Sequence, residues 1–87
     1  MEFEYDPAKS AGNRAKHGIS FEEATQLWGD PDRLEAPAKT VDETRYALIG
    51  RLHGKVWTAI FMYRQDRIRI ISVRRARPNE EALYDKS

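Results

Sequence analysis

Apolar and polar positions follow two regimes along the 87-residue chain, changing near residue 33. The first part, FEYDPAKSAGNRAKHGISFEEATQLWGDP, carries helix punctuation. Asp6 is a favourable N-cap, and Pro7 suits the first helical position, where its missing N–H costs nothing. The helix then runs through Lys9, Asn13 and Lys16 to Gly18, which can take the left-handed conformation that ends helices. Ser20 and Glu23 form a capping box, and Ile19 just before them can staple onto Ala24. Phe21, Ala24, Thr25 and Trp28 are spaced as one helical face, which Gly29-Asp30-Pro31 closes. Two short helices joined by a sharp corner are predicted.

Beyond residue 33 the period shortens to that of strands. RLEAPAK reads as a short strand that Pro37 restricts to a sheet edge. TRYALIGRL (44–52), KVWTAIFMYR (55–64) and RIRIISVRRA (67–76) follow, separated by His53-Gly54 and Gln65-Asp66. Two-residue connections are hairpin length, although Gln-Asp lacks the usual glycine. Val56, Trp57, Ile60, Phe61 and Met62 make the central strand apolar on both faces, so cover on both sides is expected. PNEEALYDKS closes the chain as a helix of about two turns with acids in its first turn. The expected fold is a single α+β domain over 1–87. It has two short N-terminal helices, an antiparallel sheet of three to four strands and a C-terminal helix, in the order ααββββα.

Composition then narrows the chemistry. A hydrophobic content of 40 % supports a packed core, and the absence of Cys removes disulfides and thiolate metal sites. No apolar run approaches a membrane span, and the N-terminus has no signal-peptide character, so a soluble cytoplasmic protein is expected. The net charge of +1 conceals an asymmetry: residues 44–77 hold nine bases against Asp66 alone. Such a field points either to a polyanion partner or to neutralisation by the acidic helices within the fold. His17 and His53 are the two histidines, and neither has metal-ligand spacing with another His or a carboxylate. A glycine-rich phosphate loop and a nucleophile elbow are also missing. No cofactor and no metal are expected.

What remains is arginine on a sheet, interleaved with Tyr46, Trp57, Tyr63 and Tyr84. Guanidinium forks onto phosphate oxygens, and aromatic rings give unpaired bases a stacking platform. Simple alternation does not gather the arginines of RIRIISVRRAR on one face. A bulge at Ile70-Ile71 would re-aim Arg69, Ser72 and Arg74 onto a common open face. Arg74 is therefore the leading phosphate contact, with Arg75 as its register alternative. Arg45 and Arg51 point the same way and could flank one groove, or pair with acids of the first two helices. Arg64 and Arg67 flank a turn as solvent charges. His17, at the end of the first helix beside Lys16, could transfer a proton, although a cation there also satisfies terminal carbonyls and the helix dipole. Lys16 could bind phosphate on the same terms.

Several of these segments together resemble the BrnT family of type II toxins. They are Tyr5-Asp6 with Lys9, the corner Asn13 to Ala24 including KHGISFEEA, a later Asp-Pro step, Arg45 with Gly50, and Ile70 to Arg74 in IRIISVRRA. The resemblance implies a RelE-like fold, ribonuclease activity on free or ribosome-associated RNA, and a BrnA-type antitoxin partner. Such an antitoxin has a ribbon-helix-helix part, so operator DNA would be met only through the toxin–antitoxin complex. It also implies catalysis without metal, the RNA 2′-OH acting as nucleophile, with Arg74, Arg51, Arg45 and His17 as the catalytic candidates. Lys16, Arg69, Arg75 and Tyr84 would bind RNA, Tyr84 lying where RelE-like ribonucleases carry a late tyrosine. Two other readings use the same arginines: a non-catalytic module binding RNA or an acidic protein, and a RelE-like relative directed at a protein target.

Overall fold

The first helix, α1 (Pro7–His17), begins where Asp6 accepts from the backbone N–H groups of Ala8 (2.8 Å) and Lys9 (3.4 Å). It ends at Gly18, whose φ of 81° lets its N–H return to the Arg14 carbonyl at 2.9 Å. The capping box then starts α2 (Phe21–Ala24): Ser20 Oγ accepts from Glu23 N, and Glu23 Oε1 accepts from Ser20 N. These descriptions come from a computed structural model that describes residues 2–38 and 44–86.

The corner is tied to the sheet by Asn13. Its buried amide donates to the carbonyls of Ile19 (2.7 Å) and Val73 (2.9 Å), and its oxygen accepts from Val73 N. Ser10 Oγ accepts from Phe21 N inside the same corner. After Ala24 the chain tightens into a 3-10 helix, Thr25–Gly29. At three residues per turn, Phe21, Ala24 and Leu27 stack on one face, and all three are buried. This corrects the expected α-helical face ending on Trp28. Trp28 is half-buried instead and meets Phe3 and Phe61 edge-on.

Five strands form one mixed sheet in the order β1-β5-β4-β3-β2, where three or four antiparallel strands were expected. They are β1 (Glu2–Glu4), β2 (Leu34–Ala38), β3 (Arg45–Leu52), β4 (Lys55–Arg64) and β5 (Arg67–Arg75). The additional strand, β1, pairs in parallel with β5, placing Glu2 beside Arg67 and Glu4 beside Arg69. Three residues are too few for periodicity to reveal, and the partner lies more than sixty residues away. β2 is an edge strand, as Pro37 requires. α3 (Pro78–Lys86) follows the sheet, so the element order is βααββββα around the intervening 3-10 turn.

The expected bulge is present. Ile60 of β4 pairs with Ser72 but Phe61 pairs with Ile70, so Ile71 is the extra residue. Ile68, Ile70 and Val73 consequently face the main core with Leu48, Trp57, Ala59 and Phe61, beneath Ile19, Phe21, Ala24 and Leu27. Gly50 lies directly against Leu27, close enough that an added Cβ would touch it at 3.4 Å. On the opposite face, Tyr84 of α3 packs with Ile49 and Val56, flanked by Leu34 and Ala76. Arg69, Ser72 and Arg74 share this second face, as a bulge demands. Here α3 covers part of a face expected to be open. Among the described residues no helix is long and apolar enough to cross a membrane.

Candidate active site

The two ends of α3 hold different polar clusters. At its start, Arg74 donates from both terminal nitrogens to Glu80, at 2.7 Å to Oε1 and 3.0 Å to Oε2. Glu80 Oε1 also accepts from the Thr58 hydroxyl and from Arg77 N. The Arg74 hydrogen bonds hold the Glu80 carboxyl down at about 2 against the opposing effect of burial, and the partnership raises Arg74 in turn. Arg74 is thus a helix anchor: both prongs that would grip a phosphate already grip Glu80.

At the other end of α3, Tyr84 is 7 % exposed and its hydroxyl donates to Asp30 Oδ2 at 2.6 Å. Asp30 also accepts from Arg51 N at 2.8 Å and from Asp32 N at 2.9 Å. Burial opposes ionisation of Asp30. Yet the hydrogen bonds from Tyr84, Arg51 N and Asp32 N, with the Arg51 charge, leave its carboxyl below the ordinary range. The hydrogen bond to Asp30 and burial push the Tyr84 hydroxyl up, Arg51 acting in the opposite sense. The Arg51 guanidinium carbon lies 5.5 Å from the centre of the Tyr84 ring, a cation–π contact. Its remaining ionic contact is long, 4.0 Å to Asp85, with both side chains about half exposed or more (49 % and 61 %). Arg51 lines a cleft of about 440 Å³ with Asp30, Gln26 and Pro31 on one side and the His53-Gly54 turn on the other.

The other candidates are dispersed. Arg45 and Arg51 share a face of β3 but stand six residues apart, roughly 20 Å at the rise of a strand, so they do not border one groove. Arg75 points to the opposite face from Arg74, exposed, its guanidinium 5.6 Å from the Trp57 ring centre. Arg69 meets Glu4 at 3.6 Å, and Arg67, expected as a solvent charge, meets Glu2 at 3.8 Å. Among the described residues, the acids ion-paired with sheet arginines are Glu2 and Glu4 of β1 and Glu80 and Asp85 of α3. His17 and Lys16 sit at the end of α1 without a hydrogen bond or ion pair among the described residues, and neither lines the cleft.

Sequence reasoning placed Arg51 and Tyr84 as candidates but read Asp30 as a helix stop and His53 as a turn residue. Asp30 carried a signal in its Asp-Pro step. His53 carried one in standing where Asn-Gly is the favoured pair.

A family model described as the ribonuclease toxin BrnT of type II toxin–antitoxin systems matches residues 5–80. No curated protein matches the chain. The match spans most of the molecule, from the residue before the Asp6 cap to the Glu80 anchor, and the chain belongs to that family.

Proposed function

We propose that this BrnT-family toxin is a metal-independent endoribonuclease that uses the RNA 2′-OH as nucleophile, and that a BrnA-type ribbon-helix-helix antitoxin silences it. Family membership supplies the ribonuclease activity and implies an RNA substrate and an antitoxin partner. The observation that carries the mechanism is the placement of Arg51: on the Tyr84 ring, at the edge of an open cleft, with a long and exposed ion pair to Asp85. A guanidinium so placed can exchange Asp85 for a phosphate at little cost, because exposed ion pairs contribute little.

RNA brings its own nucleophile, so the protein needs only to orient it, take its proton and offset the charge that builds on phosphorus. Among the described residues no three His, Cys, Asp or Glu side chains gather as they would around a metal ion. Guanidinium groups then supply the electrostatic stabilisation. Arg51 makes the central phosphate contact, while Arg45, Arg75 and Lys16 lie outside the cleft and extend the basic surface that guides RNA. Operator DNA is met only in complex with the antitoxin, and the toxin acts in the cytoplasm.

The test uses purified toxin freed from its antitoxin. It should cut RNA in EDTA and leave 2′,3′-cyclic phosphate or 3′-phosphate ends, and an RNA with a 2′-deoxy sugar at the cut site should survive. Intact RNA with tight binding would overturn the reading in favour of a non-catalytic module.

A further inference from the structure

We infer that the cleft between the 3-10 helix and the β3–β4 hairpin is the catalytic pocket for single-stranded RNA, with His53 taking the 2′-hydroxyl proton while Arg51 holds the scissile phosphate. The inference rests on the ribonuclease reading above. The cleft, about 440 Å³, is shallow and open to solvent, so a single nucleotide can lie along it rather than be enclosed.

The side chains around the cleft divide by what they can still do. Asp30 is fully engaged, accepting from Tyr84, Arg51 N and Asp32 N. A carboxylate held so firmly ionised is a weak base, and its geometry fixes the start of the hairpin through Arg51 N. Tyr84 lies beneath it and supports the Arg51 guanidinium with its ring. Asp30 and Tyr84 are therefore positioning residues. His53, exposed and without a hydrogen bond or ion pair among the described residues, keeps its imidazole available for proton transfer. It stands two residues beyond Arg51, and both line the cleft.

The backbone supports the same assignment. His53 has a φ of 53° and Gly54 a φ of 76°, the two positive values of a type I′ hairpin turn. Asn, Asp and Gly are the favoured residues at the first of these positions, although His also takes this conformation more readily than most side chains. Departures from the best local choice concentrate at functional sites.

The step balances as follows. The 2′-hydroxyl gives its proton to the unprotonated imidazole nitrogen of His53, and its oxygen forms a bond to phosphorus. Arg51 offsets the charge on the non-bridging oxygens. The bond from phosphorus to the 5′-oxygen breaks, and that oxygen takes a proton from solvent water. A 2′,3′-cyclic phosphate and a 5′-hydroxyl end result, and the imidazolium returns its proton to the hydroxide left by the water.

The experiment follows an end-labelled single-stranded RNA oligonucleotide with wild-type, His53→Asn and His53→Gly toxin. Asn-Gly and Gly-Gly both suit the turn, so both variants should melt at or near the wild-type temperature and bind the RNA within about twofold. Cleavage should fall by about 10²- to 10⁴-fold, the usual worth of a general base. Added imidazole should restore part of the rate in His53→Gly, which a merely structural role would not allow. Wild-type rates in His53→Asn would overturn the inference and leave the ribonuclease reading standing. Loss of cleavage through weakened RNA binding, without rescue by imidazole, would also overturn it. Failure of the wild-type toxin itself to cut RNA would instead overturn the reading beneath it.

Discussion

The two ends of α3 are built from the same materials, an arginine, a carboxylate and a hydroxyl, yet they do opposite things. At the first end, Arg74, Glu80 and Thr58 close on one another, and both terminal nitrogens of Arg74 bond Glu80. At the last end, Tyr84 and Asp30 close on one another, and the Arg51 side chain lies against Tyr84 and near Asp30 at the edge of the cleft, with a long, exposed ionic contact to Asp85. The difference teaches that charge alone does not mark a site. An arginine whose fork already holds a carboxylate must give that partner up before it can take a phosphate, whereas one resting on a ring with a long, exposed ionic contact has less to give up.

Substitutions at the two ends should separate along that line. Arg51→Ala should have the largest effect, lowering RNA cleavage by about 10²- to 10³-fold, the cost of losing one transition-state charge contact, with little change in the unfolding midpoint. Equal losses of stability and activity would break the contrast.

Glu80→Gln should do the reverse and cost on the order of 3 kcal/mol in urea unfolding, since it strands a half-buried guanidinium. Activity per folded molecule should remain near wild type. The same pair predicts an acid dependence. Because the folded carboxyl titrates at about 2, below its unfolded value near 4.5, its stabilisation is complete above about pH 4.5 and is lost as the pH falls from there toward 2. Unfolding midpoints measured across that window should slope for wild type and flatten for Glu80→Gln.

Tyr84→Phe addresses the other end more gently. It removes the hydroxyl's hydrogen bonds to Asp30 and the Arg51 side chain and should cost on the order of 1.5 kcal/mol or more, visible in a urea titration. Cleavage should also drop, because Arg51 loses part of its positioning through Asp30. The smallest effect belongs to Asp85→Asn. Its contact with Arg51 is long and exposed, so melting should not change, and RNA affinity should rise by about twofold in a low-salt binding titration.

Much of the fold is legible in local sequence. The Asp6 cap, the Gly18 stop, the Ser20–Glu23 box, the edge position of Pro37 and the two-residue hairpins each follow from backbone chemistry within a few residues. The bulge in β5 was suggested too, because RIRIISVRRAR cannot put Arg69, Ser72 and Arg74 on one face without an extra residue, which Ile71 supplies. β1 was not, since three residues set no period and their pairing with β5 is long-range. The tight pitch at Thr25–Gly29, which buries Leu27 and leaves Trp28 at the margin, also depends on how the segment packs against the sheet.

The candidate site divides in the same way. Residue type and spacing were enough to single out the sheet arginines and Tyr84 and to show that the usual metal and nucleophile motifs are missing. They were not enough to show which arginine already holds a carboxylate, because a guanidinium reads the same in a sequence whether one waits beside it or not. The tertiary structure sets that pairing. It brings Glu80 back from six residues away onto Arg74, and it carries Asp30 and Tyr84, fifty-four residues apart, to within a hydrogen bond of each other behind Arg51. Local chemistry dictates turns, caps and alternation. Only the closed fold decides which charges find their partners.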